Sequence, residues 1–231
     1  MAKKTYHGPE NMKEWVAWAK GQTSPERNQH VVWAVVGRPG AGKSGFQLCI
    51  FENLDDDFDP LRQVAMRPVE RKPIALSLGK RKGVWDDESS GEGGHKRRAM
   101  GKGNVDNVMD LDAMRGRNQY TGFTSPEFDH LDPDIQEACM WIFECKHDGS
   151  MSAYEVVHSG KPGNRYHNKV HRFNDPAFPH ASVFYPEKWR VYYYDVKVPF
   201  MEGRRRQDHV KESHFSEKAE GVMRRLLQRP G

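Results

Sequence analysis

Eight consecutive residues, Gly37-Arg38-Pro39-Gly40-Ala41-Gly42-Lys43-Ser44, have the types and spacing needed to grip a polyphosphate. The glycines let the backbone curl until successive N–H groups point into one concavity, and a helix starting there adds its positive end to the same spot. Lys43 would reach the β- and γ-phosphates, and the Ser44 hydroxyl would join the shell of a Mg²⁺ ion. The implied cofactors are ATP and Mg²⁺, cradled by residues 37–45, with Gly45 opening the helix. Downstream, Gly83-Val84-Trp85-Asp86-Asp87-Glu88 has the form of a short strand ending in carboxylates, one to support the metal and the next to act on the attacking water. Two registers are open. Asp87 on the metal with Glu88 as base is preferred; Asp86 and Asp87 in those roles is the alternative.

Further polar groups fit the same chemistry. His95-Lys96-Arg97-Arg98 lies in a Gly- and Ser-rich stretch with too few apolar groups to pack. Arg97 or Arg98 could reach a phosphoryl group of a neighbouring subunit, or hold DNA phosphates in a central channel, or simply be solvated. Gln119 to Pro126 reads as a strand whose end offers Thr124 or Ser125 to sense a γ-phosphate, with a Ser/Thr turn before Pro126 as the plainer reading. Other clusters carry less. Asp55-Asp56-Asp57-Phe58-Asp59-Pro60 reads as a solvated acidic turn. His167 and His171 are spaced to share a helix face, but Gly160, Pro162, Gly163, Pro176 and Pro179 mark mostly loop, and no Cys or carboxylate pattern completes a metal site. The three cysteines, Cys49, Cys139 and Cys145, show no C-x-x-C spacing and suit reduced thiols.

The elements that must position these groups are legible in the apolar pattern. Val31 to Val36 is a buried strand before the loop, and Gln47 to Glu52 has helical spacing after it. Met12, Trp15, Val16 and Trp18 predict a helix over 11–20, followed by a linker from Gly21 to Gln29. A short strand is expected near 63–66, a helical turn near 74–76, and a helix over 104–117 closed by Arg115 and Arg117. Asp132 and Pro133 start a short helix that runs to Cys139. Residues 140–146 and 151–157 form a hairpin about Asp148-Gly149. Trp189 to Val196 reads as a further strand. Phe215, Val222, Met223, Leu226 and Leu227 stripe a terminal helix with Arg224, Arg225 and Arg229 off the stripe, behind a basic run Arg204-Arg205-Arg206. The expected organisation is a helix and linker over 1–30, a nucleotide-binding domain with a β extension over 31–200, and a basic helical tail over 201–231.

Length and composition bound this picture. With 231 residues, 36% of them hydrophobic and 29% charged, the chain supports one α/β core with additions and long solvated loops. The net charge of +4 permits a nucleic-acid partner without demanding one. No apolar run approaches a membrane span and no signal core follows Met1, so a soluble, cytoplasmic protein is expected.

The order of these parts resembles the FtsK–HerA class of P-loop ATPases over about residues 11 to 195. Within that class it is most similar to small viral and plasmid members, including genome-packaging ATPases of membrane-containing viruses and Zot-like assembly proteins. The resemblance implies a RecA-like three-layer α/β core with a mostly parallel sheet, extended here by antiparallel strands and a terminal helix. It also implies a ring, usually hexameric, that couples ATP hydrolysis to movement of double-stranded DNA, with an arginine supplied by a neighbour and a capsid or membrane docking protein as a further partner. The chain departs from the pattern in its third acid at 86–88 and in carrying Thr124-Ser125 where many members have Gln. Alternative functions are a Zot-like ATPase of phage extrusion or secretion, a small-molecule kinase, or a nucleotide switch without turnover.

Overall fold

All six residues of β1 (Val31–Val36) are buried, as a strand covered on both faces must be. It lies inside a seven-stranded sheet of order β2-β3-β4-β1-β5-β6-β7. The others are β2 (Val64–Ala65), β3 (Gly83–Asp86), β4 (Tyr120–Ser125), β5 (Trp141–Cys145), β6 (Met151–His158) and β7 (His167–Asp175). Strands β1 to β5 run parallel to one another, and β6 and β7 add to the β5 edge in antiparallel fashion. The computed structural model describes residues 8–87, 117–158, 167–176 and 180–204.

Helices cover both faces. The alternation of β1 sends Trp33 and Val35 to one side and Val32, Ala34 and Val36 to the other. On the first side lie α1 (Met12–Gln22) and α2 (Lys43–Leu54), and on the second α4 (Pro68–Ser77) and α5 (Pro133–Ala138), after a short α3 (Pro60–Gln63). Trp15 of α1 is fully buried, edge-on to Trp33 at 5.5 Å and to Phe143 at 4.9 Å. The expected helix, started by the Asn11 side chain accepting from Glu14 N, therefore packs into the same core as the sheet. The architecture is the RecA-like α/β core, with β4 inserted between the loop-bearing β1 and the acid-bearing β3.

Several expectations are corrected. Trp189 to Val196 is not a strand. After α6 (Ala181–Phe184), a helix here called α7 spans 186–204, α-helical over Pro186–Arg190 and widened into π-helical turns over Val191–Lys197. Its aromatic, β-branched run favours strands locally, but Tyr185, Trp189, Tyr192, Val196 and Phe200 recur at helical intervals and pack on the core. His167 and His171 stand on β7, not on a helix or loop, and among the described residues no group of three or more His, Cys, Asp or Glu could hold a metal. Asp55 is not solvated: it is 2% exposed and joins the end of α2 to the start of β3. Arg117 donates to the carbonyls of Leu76 at 3.0 Å and Leu78 at 3.2 Å, so it caps α4. The helix expected over 104–117 and the stripe at 215–227 otherwise lie outside the described residues.

Candidate active site

The glycine loop leaves β1 beside the end of β4, where Gly37 N donates to Pro126 O at 3.1 Å. Gly37 has φ +146°, and a Cβ there would collide with the Cys145 carbonyl of β5, so no other residue fits the turn. Ala41 N donates to Arg38 O at 3.1 Å, which closes the loop, and α2 begins at Lys43 with Gly42 in the left-handed region. Arg38, Pro39 and Gly40 are exposed at the mouth, while Gly45 is buried. Lys43 Nζ lies 3.1 Å from Arg38 O and folds back over the loop. Helix α2 is buried along nearly its whole length, which fixes the loop rigidly against the sheet.

The acids separate by strand alternation. Asp86 turns to the α4 face, where its carboxylate meets the fully buried Arg71 at 3.1 Å, and Arg71 stacks over Phe123 with 5.2 Å to the ring centroid. Asp87 turns to the α2 face. Its Oδ2 accepts from the Tyr192 hydroxyl and from Lys197 Nζ at 3.1 Å, and the same Nζ lies 3.1 Å from Ser44 Oγ. Asp87 Oδ1 is buried and accepts no hydrogen bond among the described residues. Asp87, not Asp86, thus shares the Lys197 ammonium with Ser44. Glu88, Arg97 and Arg98 lie outside the described residues.

Thr124 and Ser125 also separate. Ser125 Oγ donates to Glu127 O at 2.8 Å and belongs to the turn before Pro126. Thr124 Oγ1 accepts from Trp85 Nε1 at 2.8 Å on the α2 face, and Trp85 stacks on Tyr192 at 4.4 Å. Thr124, Trp85, Tyr192 and Asp87 thus form one chain of contacts ending at the Asp87 carboxylate. Tyr192 and Lys197 escape sequence reasoning because their segment reads as a strand; the helical recurrence of 185, 189, 192, 196 and 200 was the signal that could have found them.

Around the loop the electrostatics are set by burial. The Cys145 thiol is pushed up to about 12, chiefly by burial with Lys43 opposing, so it is an inert neutral group. His180, whose ring fills the space a Cβ on Gly45 would need, is lowered by burial and stays neutral near pH 7. A cleft of about 620 Å³ opens between the ends of β1, β4 and β5, lined by Gly37, Arg38, Pro126, Lys146, His147 and Lys169, a volume in the range of small-molecule sites.

The chain is similar in structure to the N-terminal domain of zonular occludens toxin from Neisseria meningitidis, at 14% identity and TM-score 0.41, over 62% of this chain and 94% of that one. It is also similar to the genome packaging NTPase B204 of Sulfolobus turreted icosahedral virus 2. In complex with ATP-gammaS, the values are 11% identity and TM-score 0.39, over 55% of this chain and 92% of that one. In complex with AMP, they are 10% and 0.38, over 62% and 97%. No family model matches the chain, and no curated protein matches it. Among the described residues no helix is long and apolar enough to cross a membrane.

Proposed function

We propose that this protein hydrolyses ATP in a Mg²⁺-dependent reaction and, as an oligomeric ring, couples it to movement of double-stranded DNA, with packaging of a viral genome as the task. The observation that supports it best is the meeting of Ser44 Oγ and Asp87 Oδ2 on one cationic nitrogen at the head of α2. Both are hard oxygen donors of the kind Mg²⁺ takes, and the unpartnered, buried Asp87 Oδ1 adds another, so these residues fit the ion. Bound there, Mg²⁺ would neutralise charge on the β- and γ-phosphates.

The chain's own residues supply the remaining functions. The N–H groups of Gly40, Gly42, Lys43 and Ser44 grip phosphate oxygens, and Lys43 exchanges the Arg38 carbonyl for the β- and γ-phosphates. Thr124, at the end of the strand between β1 and β3, is the proposed sensor that orients water or phosphate. Glu88, next to Asp87 in sequence, is the proposed base that takes the proton from the attacking water. Arg97 or Arg98 of a neighbouring subunit is the proposed finger on the transferring phosphoryl group. The DNA assignment is supported by the sequence resemblance and by the basic runs 95–98 and 204–206.

The test is ATP hydrolysis with and without double-stranded DNA at low and high salt, with Lys43→Ala and Glu88→Gln as controls. Stimulation by DNA that fades with salt and is lost in both variants is the expected result. Hydrolysis indifferent to DNA at every salt would remove the translocation assignment, and absence of hydrolysis under all conditions would remove the ATPase itself.

A further inference from the structure

Lys197 brings a positive charge to the place where a metal ion would sit. Its Nζ lies 3.1 Å from Ser44 Oγ and 3.1 Å from Asp87 Oδ2, and its side chain is 16% exposed against 0% for Asp87. A carboxylate so buried needs a compensating cation, and here α7 supplies one. A divalent ion shared by the same two oxygens would stand next to the ammonium in a low-dielectric site, where like charges repel strongly. The two cations are alternatives.

The shape of α7 serves this contact. At 3.6 residues per turn, side chains five apart point about 140° away from each other. The wider i→i+5 turns of a π-helix bring them closer together. Val191–Lys197 is π-helical, and Tyr192 and Lys197, five apart, both bind Asp87 Oδ2. Beyond that contact, Tyr192 stacks on Trp85, and Trp189, Val196 and Phe200 pack only partly buried against the core. Pro186–Arg190 has no buried residue, Tyr192 is the buried one of Val191–Lys197, and Tyr194 is 62% exposed.

We propose that Lys197 is a tethered cation that occupies the metal position and is exchanged for Mg²⁺ when Mg²⁺–nucleotide binds, releasing the C-terminal half of α7 and so signalling occupancy of the site to the chain beyond it. The proposal rests on the reading of Ser44 and Asp87 as the Mg²⁺ site. Nucleotide without Mg²⁺ leaves Lys197 in place; Mg²⁺ with nucleotide displaces it.

The experiment uses the full chain with ATPγS and titrated Mg²⁺. Calorimetry gives the apparent Mg²⁺ affinity at saturating ATPγS for the wild type, Lys197→Met and Lys197→Arg. Amide exchange over 191–204 in the wild type is followed with ATPγS in EDTA and in Mg²⁺. Removing the competing cation should tighten apparent Mg²⁺ binding on the order of tenfold in Lys197→Met. Lys197→Arg should bind Mg²⁺ as the wild type does. In the wild type, exchange over 191–204 should rise with Mg²⁺–ATPγS and not with ATPγS in EDTA. Equal or weaker Mg²⁺ binding by Lys197→Met, or exchange over 191–204 that ignores Mg²⁺, overturns the proposal while leaving the nucleotide site standing. A wild type that binds no ATPγS in any condition overturns both. Should Lys197→Met fail to fold, the wild-type exchange comparison decides alone.

Discussion

Replacing Asp55 by Asn tests how the acid-bearing strand is held in register with the helix that follows the glycine loop. Asp55 follows the last turn of α2 and accepts from Lys82 Nζ at 2.8 Å, Gln63 Nε2 at 2.7 Å and Gly83 N at 3.0 Å, so one carboxylate ties α2, α3 and the first residue of β3 together. Burial alone would raise its pKa, but the Lys82 ammonium, the Gly83 amide and Gln63 more than offset this and hold it below the usual carboxylate range. Removing one member of a buried pair costs about 3–5 kcal/mol. Lys82 is 30% exposed and can rehydrate, and Asn keeps some of the hydrogen bonds, so about 2–3 kcal/mol is expected. For a chain of this size that is a fall in Tm of roughly 5–10 °C. A carboxyl whose folded pKa is depressed contributes stability that is fully present above its unfolded pKa of about 3.9 and is lost as pH falls through the lower folded value. The gap between wild type and Asp55→Asn, measured by urea unfolding, should therefore be flat from pH 8 to pH 5 and close below about pH 4. A gap under about 0.5 kcal/mol at pH 7, or one that widens on acidification, would refute the reasoning.

Other expectations follow from single contacts. Trp15→Ala should cost about 3–5 kcal/mol and unfold the sheet and α1 in one transition; an early, separate loss of α1 would show that residues 1–30 are an independent segment. Gly122→Ala would drive a Cβ into Gln47 and the Trp33 ring and should cost about 1–3 kcal/mol in thermal unfolding, with a neutral result excluding that packing. Cys49 and Cys145, pushed up to about 12 by burial, and the fully buried Cys139 should resist a thiol reagent at pH 8 in the folded protein and all react in denaturant.

The glycine loop and both its flanks follow from local pattern: a six-residue apolar run, glycines where the turn is tight, and helical spacing after Lys43. Asp132 with Pro133, and Asp148-Gly149, likewise mark their helix and hairpin through short-range chemistry. What stayed hidden depends on tertiary partners. Nothing local says that Asp55 is buried, because its partners Lys82 and Gly83 are far along the chain. Val191-Tyr192-Tyr193-Tyr194 has strand propensity, yet the stack of Tyr192 on Trp85 and the reach of Lys197 to Asp87 favour a widened helix. Which face Asp86 and Asp87 each take was also hidden, since only the position of Arg71 on α4 shows it.

The most direct test of the central claim is Mg²⁺-dependent ATP hydrolysis by Asp87→Asn beside the wild type, both shown to be folded. The account predicts a loss of at least about a hundredfold in the variant at all Mg²⁺ concentrations, since the carboxylate facing Ser44 is gone. A folded Asp87→Asn protein that turns over ATP at the wild-type rate would contradict it.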